Sequence, residues 1–212
     1  MQNVHANVEN AAEPIVYVVD DDAEMRGALL DLFMVTNKQA SAFSNGMDFL
    51  KRADVSARGC VVVDLRMPGG TGLDLQSELA SKGSKLPVIF LTAYADIPTS
   101  VKAMKAGATD FITKPFANQD LLDAVDHAIR LDDERRKSTA ELERIQGLVD
   151  TLTPRERDVM YAVVTGLMNK QVAYQLGISE MTVKLHRMSV MRKMQSRSLA
   201  DLVRKIEHLQ RG

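Results

Sequence analysis

The chain has 212 residues, of which 45% are hydrophobic and 26% charged, with one cysteine and a formal net charge of -1. This composition excludes a disordered or collagen-like chain and any internal disulfide framework. No apolar run approaches the roughly 18 residues that span a bilayer, and residues 1–13 are polar, without the hydrophobic core of a signal peptide, which points to a flexible tail and a cytoplasmic protein with no membrane attachment.

Residues 151–212 carry 11 Lys+Arg against 5 Asp+Glu, a net of +6, which leaves 16 basic and 23 acidic residues, a net of -7, before them. Opposite signs predict two domains with different partners, the basic one suited to a polyanion and the acidic one to a cation or cationic surface.

In chain order, strand-like apolar runs at about 15–19, 40–43, 60–64, 87–91 and 110–113 alternate with helical patterns at about 23–35, 46–53, 71–81, 97–106 and from 118 onward. Five βα units of this kind, with right-handed crossovers and strands buried on both faces, predict an α/β fold with a doubly wound five-stranded parallel sheet over residues 14–130. Cys60 lies inside a buried run and reads as an inert, reduced thiol.

The strand ends carry the chemistry. The first run ends in Asp20, Asp21 and Asp22, the third in Asp64, the fourth in Thr92, and the fifth is followed by Lys114 and Pro115. Ligands of open α/β sheets bind at the carboxyl ends of the strands, beside the point where the winding reverses, so Asp20, Asp21 and Asp64 are expected to meet.

These residues resemble a bacterial response-regulator receiver domain: the acidic pair Asp20 and Asp21, the acceptor Asp64 with Pro68 and Gly72 behind it, Thr92 followed by the small Ala93, and Lys114-Pro115. The resemblance implies the strand order 2-1-3-4-5 and a phosphoryl group accepted on Asp64 from a sensor histidine kinase. It also implies Mg²⁺ (or Mn²⁺) held by Asp20, Asp21, Asp64 and the backbone carbonyl of Arg66. Thr92, Ala93, Lys114 and Phe111 become phosphoryl-binding and switch residues, and Lys114-Pro115 a candidate cis bond. Arg66 and Tyr94 stand where large side chains crowd an attacking water, so both are expected to tune the lifetime of the phosphoryl group.

Haloacid-dehalogenase-type phosphatases also place an Asp at a strand end above Mg²⁺, with a second Asp two residues on as general acid. Arg66 occupies that position here, so the chain is expected not to be an enzyme acting on external phosphate esters.

Residues 131–150 form a charged stretch with no Pro or Gly before Gly147, read as a helical linker. Its apolar positions Leu142, Ile145 and Leu148 or Val149 fit either a helix resting on its own domain or a short coiled-coil contact between subunits. From 151 to 212 an all-α domain of four helices is predicted. Thr153-Pro154-Arg155-Glu156 is a capping box with Pro at the first helical position. Gly166 ends that helix, Asn169 caps the next, Gly177 takes a left-handed turn, and Ser179 caps a third helix near 180–194. Val172, Ala173, Leu176, Ile178, Val183 and Val190 or Met191 are expected to share one core. The fourth helix carries Leu199, Leu202, Val203, Ile206 and Leu209.

Leu152-Thr-Pro-Arg-Glu156, Gly166-Leu-Met-Asn-Lys-Gln171, Leu176-Gly-Ile-Ser179 and Thr182-Val-Lys-Leu-His186 together resemble the helix-turn-helix domain of LuxR/NarL-type regulators. Coupled to the receiver, the whole chain is similar to the FixJ/NarL class, and its long linker to the FixJ/StyR subgroup. Such a protein is a phosphorylation-dependent transcriptional regulator that dimerises, binds double-stranded promoter DNA and works with RNA polymerase. A phosphorylation-independent DNA binder with a vestigial receiver is the alternative. The third helix enters the major groove, with Lys184, Leu185, Arg187 and Met188 placed for base edges or thymine methyls and Thr182 at its start. Lys170, Arg192, Lys193 and Arg197 are expected on phosphates, and His186 on a phosphate or in the helix junction.

Overall fold

The computed structural model describes residues 13–93 and 97–211, and the chain divides into two compact units after Arg135. The first contains strands β1 (Ile15–Val19), β2 (Gln39–Phe43) and β3 (Gly59–Asp64), a minute hairpin of β4 (Arg66–Met67) and β5 (Gly70–Thr71), and strands β6 (Val88–Thr92) and β7 (Asp110–Thr113). The five long strands form one parallel sheet in the order β2-β1-β3-β6-β7, the order the receiver resemblance implies.

The pleat explains why both faces of this sheet are apolar, since successive side chains point to opposite sides. Val16, Val18, Cys60, Val62, Ile89 and Leu91 pack with Leu29 and Phe33 of α1 (Ala23–Val35) and with Leu121, Val125 and Ala128 of α5 (Asn118–Asp150). Tyr17, Val19, Val61, Val63 and Phe90 point the other way, onto Phe49 of α2 (Gly46–Arg52), Leu75 and Leu79 of α3 (Gly72–Ser81) and Ala103 of α4 (Ile97–Lys105). Cys60 has no exposed surface, and burial pushes its thiol up to about 12, with the charge of Asp132 adding to the effect.

At the amino edge of the sheet, α5 is tied to β3 by charge. Asp132 is fully buried; its Oδ2 accepts from the Gly59 amide at 3.1 Å, its other oxygen takes the Arg135 guanidinium, and Arg58 pairs with Asp133. Gly59 is required there because it has φ +143° and a Cβ would lie 1.9 Å from the carbonyl oxygen of Ile15.

The second unit, Arg136 to Gly212, contains the end of α5 followed by α6 (Pro154–Val164), α7 (Asn169–Leu176), α8 (Glu180–Lys193) and α9 (Leu199–Arg211). The capping box holds: Thr153 Oγ1 accepts from the Glu156 amide at 3.3 Å, and the Thr153 amide donates to Glu156 Oε2 at 2.8 Å. Gly166 has φ +90° and Gly177 φ +64°, and Ser179 caps α8 by accepting from the Thr182 amide at 3.1 Å.

Three local expectations change. Asn169 is the first residue of α7 rather than its cap; Met168 holds the cap position, with its amide bonded to Gln171 Oε1 at 2.8 Å. The expected single core is two clusters: Val172, Ala173 and Val183 pack with Val159 and Val163, whereas Val190 packs with Met160, Met194, Leu202 and Ile206. Ile145 and Val149, placed in the linker by sequence, are buried in that second cluster, so the apolar stripe of the linker is used within this unit.

Candidate functional site

Strand register builds the first site. β1 and β3 pair Val19 with Val63, so Asp20 and Asp64 emerge side by side at the carboxyl edge. β3 pairs Asp64 with Leu91, and β6 pairs Thr92 with Thr113, which sets Thr92 and then Lys114 at the same edge. A residue is needed at each strand end, and the parallel register supplies the alignment.

The three consecutive carboxylates separate at once. Asp22 caps α1, accepting from the Glu24 amide at 2.9 Å and the Met25 amide at 3.3 Å. Asp20 is 1% exposed; its Oδ1 accepts from the Asp22 amide at 2.9 Å and its carbonyl from Arg26 at 2.8 Å. Asp21 is exposed and Asp64 half-buried, and ligand atoms of Asp20, Asp21 and Asp64 lie within 4.8 Å of one another.

Lys114 supplies the opposing charge. Its Nζ donates to Asp20 Oδ2 at 2.8 Å and to Asp64 Oδ2 at 3.2 Å. Burial by itself lowers the affinity of this amine for its proton, but the hydrogen bond and charge of Asp20, with the charge of Asp64, outweigh burial and hold the group above its ordinary value. The Lys114-Pro115 bond is cis. Thr92 is 1% exposed, Ala93 is exposed, and Phe111 is half-buried against the ring of Phe90, with centroids 6.3 Å apart. The Arg66 amide donates to Asp64 Oδ1 at 3.2 Å. Tyr94 lies outside the described residues.

The loop behind Asp64 is shaped by backbone approach. A Cβ on Gly72 would stand 2.6 Å from the Asp64 carbonyl oxygen and 2.8 Å from the Phe90 ring, so α3 starts close to the acceptor only because residue 72 is glycine. Gly72 is legible in the sequence through the family pattern; no local signal points to Arg26, whose partner is a backbone oxygen.

The second site is the outer face of α8. Lys184, Leu185, Met188 and Arg192 are exposed along one side, and Lys170 and Arg197 are exposed nearby in the sequence. Thr182 shares its hydroxyl with Ser179 at the cap, at 2.8 Å, and His186 is half-buried. Two expected contacts have partners inside the unit: Arg187 donates to Asn169 Oδ1, and Lys193 Nζ binds Glu156 Oε2 at 2.6 Å and the Thr151 carbonyl at 3.1 Å. Glu156, 6% exposed, is held down to about 2 by Lys193 first, then by Ser189 and the Thr153 amide.

A family model described as the response regulator receiver domain matches residues 16–126, and one described as bacterial regulatory proteins, luxR family, matches residues 150–206. The chain belongs to the FixJ/NarL response regulators. Nodulation protein W of Bradyrhizobium diazoefficiens is 46% identical to it over 96% of this chain and 89% of its own length. The transcriptional regulatory protein FixJ of the same organism is 40% identical, over 89% and 92%. The solved structure of the response regulator StyR superposes with TM-score 0.83 at 43% identity, covering 92% of this chain and 99% of its own. The regulator thus joins a receiver to a LuxR-type DNA-binding domain, the composition of a response-regulator transcription factor. Among the described residues, no helix is long and apolar enough to cross a membrane.

Proposed function

We propose that the regulator is switched by phosphorylation of Asp64 and that the phosphorylated form dimerises and binds promoter DNA. The observation that carries this reading is the Lys114 ammonium set between Asp20 and Asp64, at 2.8 and 3.2 Å, with Asp21 beside them. An Asp64 oxygen attacks the phosphorus of a phosphohistidine on the partner kinase, the phosphorus–nitrogen bond breaks, and its electron pair returns to the imidazole, leaving an acyl phosphate on Asp64.

Charge is the obstacle to this step. A phosphoryl group brings close to two negative charges, and at about 4 Å each neighbouring carboxylate opposes a unit charge by about 4 kcal/mol at an effective dielectric of about 20. The donor set suits a hard divalent ion: three carboxylates converge, and Mg²⁺ prefers an all-oxygen shell in which several waters remain. Asp20, Asp21, Asp64 and the Arg66 carbonyl would hold Mg²⁺ (or Mn²⁺), which supplies positive charge where the phosphoryl oxygens arrive. Lys114 leaves Asp64 for a phosphoryl oxygen and remains paired with Asp20.

The Thr92 hydroxyl then turns toward the phosphoryl group, Phe111 moves into the space vacated, and Ala93 leaves room for the incoming oxygens. The new charge biases a two-state packing of the receiver, residues 14–130. Two receivers pair, and two copies of the 151–212 domain read a two-fold promoter site in the cytoplasm, with RNA polymerase as the next partner. Lys184, Leu185 and Met188 face bases, and Lys170, Arg192 and Arg197 meet phosphates.

Exposure to acetyl phosphate and magnesium, followed by intact-protein mass spectrometry, tests the first step. One phosphoryl group is expected on the native chain and none on Asp64→Asn. An unmodified native chain refutes the proposal.

A further inference from the structure

The exposed face of α8 carries three large apolar side chains. Met181 is 65% exposed, Leu185 57% and Met188 70%. At 100° per residue these three, with Lys184 and Arg192, fall on one stripe, opposite the buried Val183 and Val190. Isolated exposed apolar groups are ordinary; three at i, i+4 and i+7 on one helix form a patch awaiting a partner.

Charge says what the partner is. The patch lies in the part of the chain with 11 Lys+Arg against 5 Asp+Glu. Lys184 and Arg192 flank it on the helix, and Lys170 and Arg197 are exposed on the adjoining segments. Apolar centre and cationic rim together fit a polyanion that carries apolar groups at its centre. In the major groove the one such group on a base pair is the C5 methyl of thymine.

To either side of this stripe, two further cations of α8 already have partners. Arg187 donates to Asn169, and Lys193 is held by Glu156 and the Thr151 carbonyl, so both cations are engaged within their own unit while Lys184 stands exposed. We infer that this regulator selects its DNA sites through thymine methyl groups seated against Met181, Leu185 and Met188, with Lys184 supplying the polar contact. The inference rests on the DNA-binding reading above and adds the chemistry by which sequence is chosen.

The test uses the full chain with acetyl phosphate and magnesium. Duplexes are selected from a random pool, and each thymine of the selected site is then replaced in turn by deoxyuridine, which removes the methyl and keeps every hydrogen-bonding group. At least one replacement per half-site is expected to weaken binding by roughly fourfold, the factor equivalent to roughly 0.8 kcal/mol for one methyl-sized group. That loss is expected to vanish in Leu185→Ala or Met188→Ala, substitutions at exposed positions that should leave the melting temperature unchanged.

Selected sites whose affinity does not change with deoxyuridine at any position overturn the inference and leave DNA binding intact. An equal loss in native and variant proteins also overturns it, because the methyl would then act through DNA shape. A pool that yields no duplex above random sequence overturns the DNA-binding reading itself. Should Met188→Ala instead change the sedimentation of the free protein while deoxyuridine has no effect, the stripe is a protein contact and the inference falls.

Discussion

Asp20, Asp21 and Asp22 have the same side chain and three different surroundings. Asp22 neutralises the amino end of α1, Asp20 is buried against Lys114, and Asp21 stays in solvent beside them. Lys114 sets a cation against two of the cluster's carboxylates, those of Asp20 and Asp64. Lys114→Met should therefore lower stability by about 3 kcal/mol in chelator, since it leaves the buried Asp20 carboxylate without its cation. Magnesium should raise the melting temperature of that variant more than that of the native chain, because ion binding to the folded state alone adds stability. Equal magnesium shifts in the two proteins would contradict the site. Glu156 gives a second residue-scale test. Its carboxyl titrates near 2 in the folded unit against an ordinary 4.5, so its contribution is complete above about 4.5 and is lost as pH falls toward 2. Melting temperature of the second unit should fall across that window, and Glu156→Gln should flatten the fall.

Among the elements, α5 carries the most consequence. Its buried Asp132 satisfies the Gly59 amide at the start of β3, and Asp133 holds Arg58. Asp132→Ala strands a buried N–H and should destabilise the receiver by about 1–3 kcal/mol, read by denaturant midpoint, with the Asp64 site chemically intact. Farther along the same helix, Ile145 is 1% exposed and Val149 2% in the second unit's core. Ile145→Ala should cost about 2–5 kcal/mol of that unit's stability, as large-to-small core changes do. A shift confined to subunit association, with stability unchanged, would favour the intersubunit reading of the linker. For Lys193 a part in stability stands beside the expected phosphate contact: its ammonium pairs with Glu156, the carboxylate that also closes the capping box of α6.

For the whole molecule, the division of charge matters more than its sum of -1. The basic unit should bind DNA with an affinity that falls linearly in log salt, at a slope of about -0.9 per neutralised phosphate, and Lys170→Ala or Arg197→Ala should each make that slope shallower by roughly 1. Sedimentation with and without acetyl phosphate and magnesium reads the other half of the proposal. A monomer-to-dimer shift is expected in the native chain and not in Asp64→Asn; a shift in both would separate dimerisation from phosphorylation.

What is local or repeated in this protein could be read directly from its residues. Runs rich in β-branched residues marked β1, β3 and β6, the terminal Asp, Thr and Lys marked the site edge, and Thr153, Gly177 and Ser179 marked helix ends, because each signal acts within a few residues of backbone. Which partner each side chain met was settled only by the closed fold. An apolar stripe such as Ile145 and Val149 states that a helix face is buried and leaves open against what. A basic residue such as Lys193 looks the same on paper whether it faces DNA or a carboxylate 37 positions earlier. Those choices depend on distances that exist only after the chain has closed on itself, which is why the partners of the α5 stripe, Arg187 on Asn169 and the two separate clusters had no precursor in periodicity or composition.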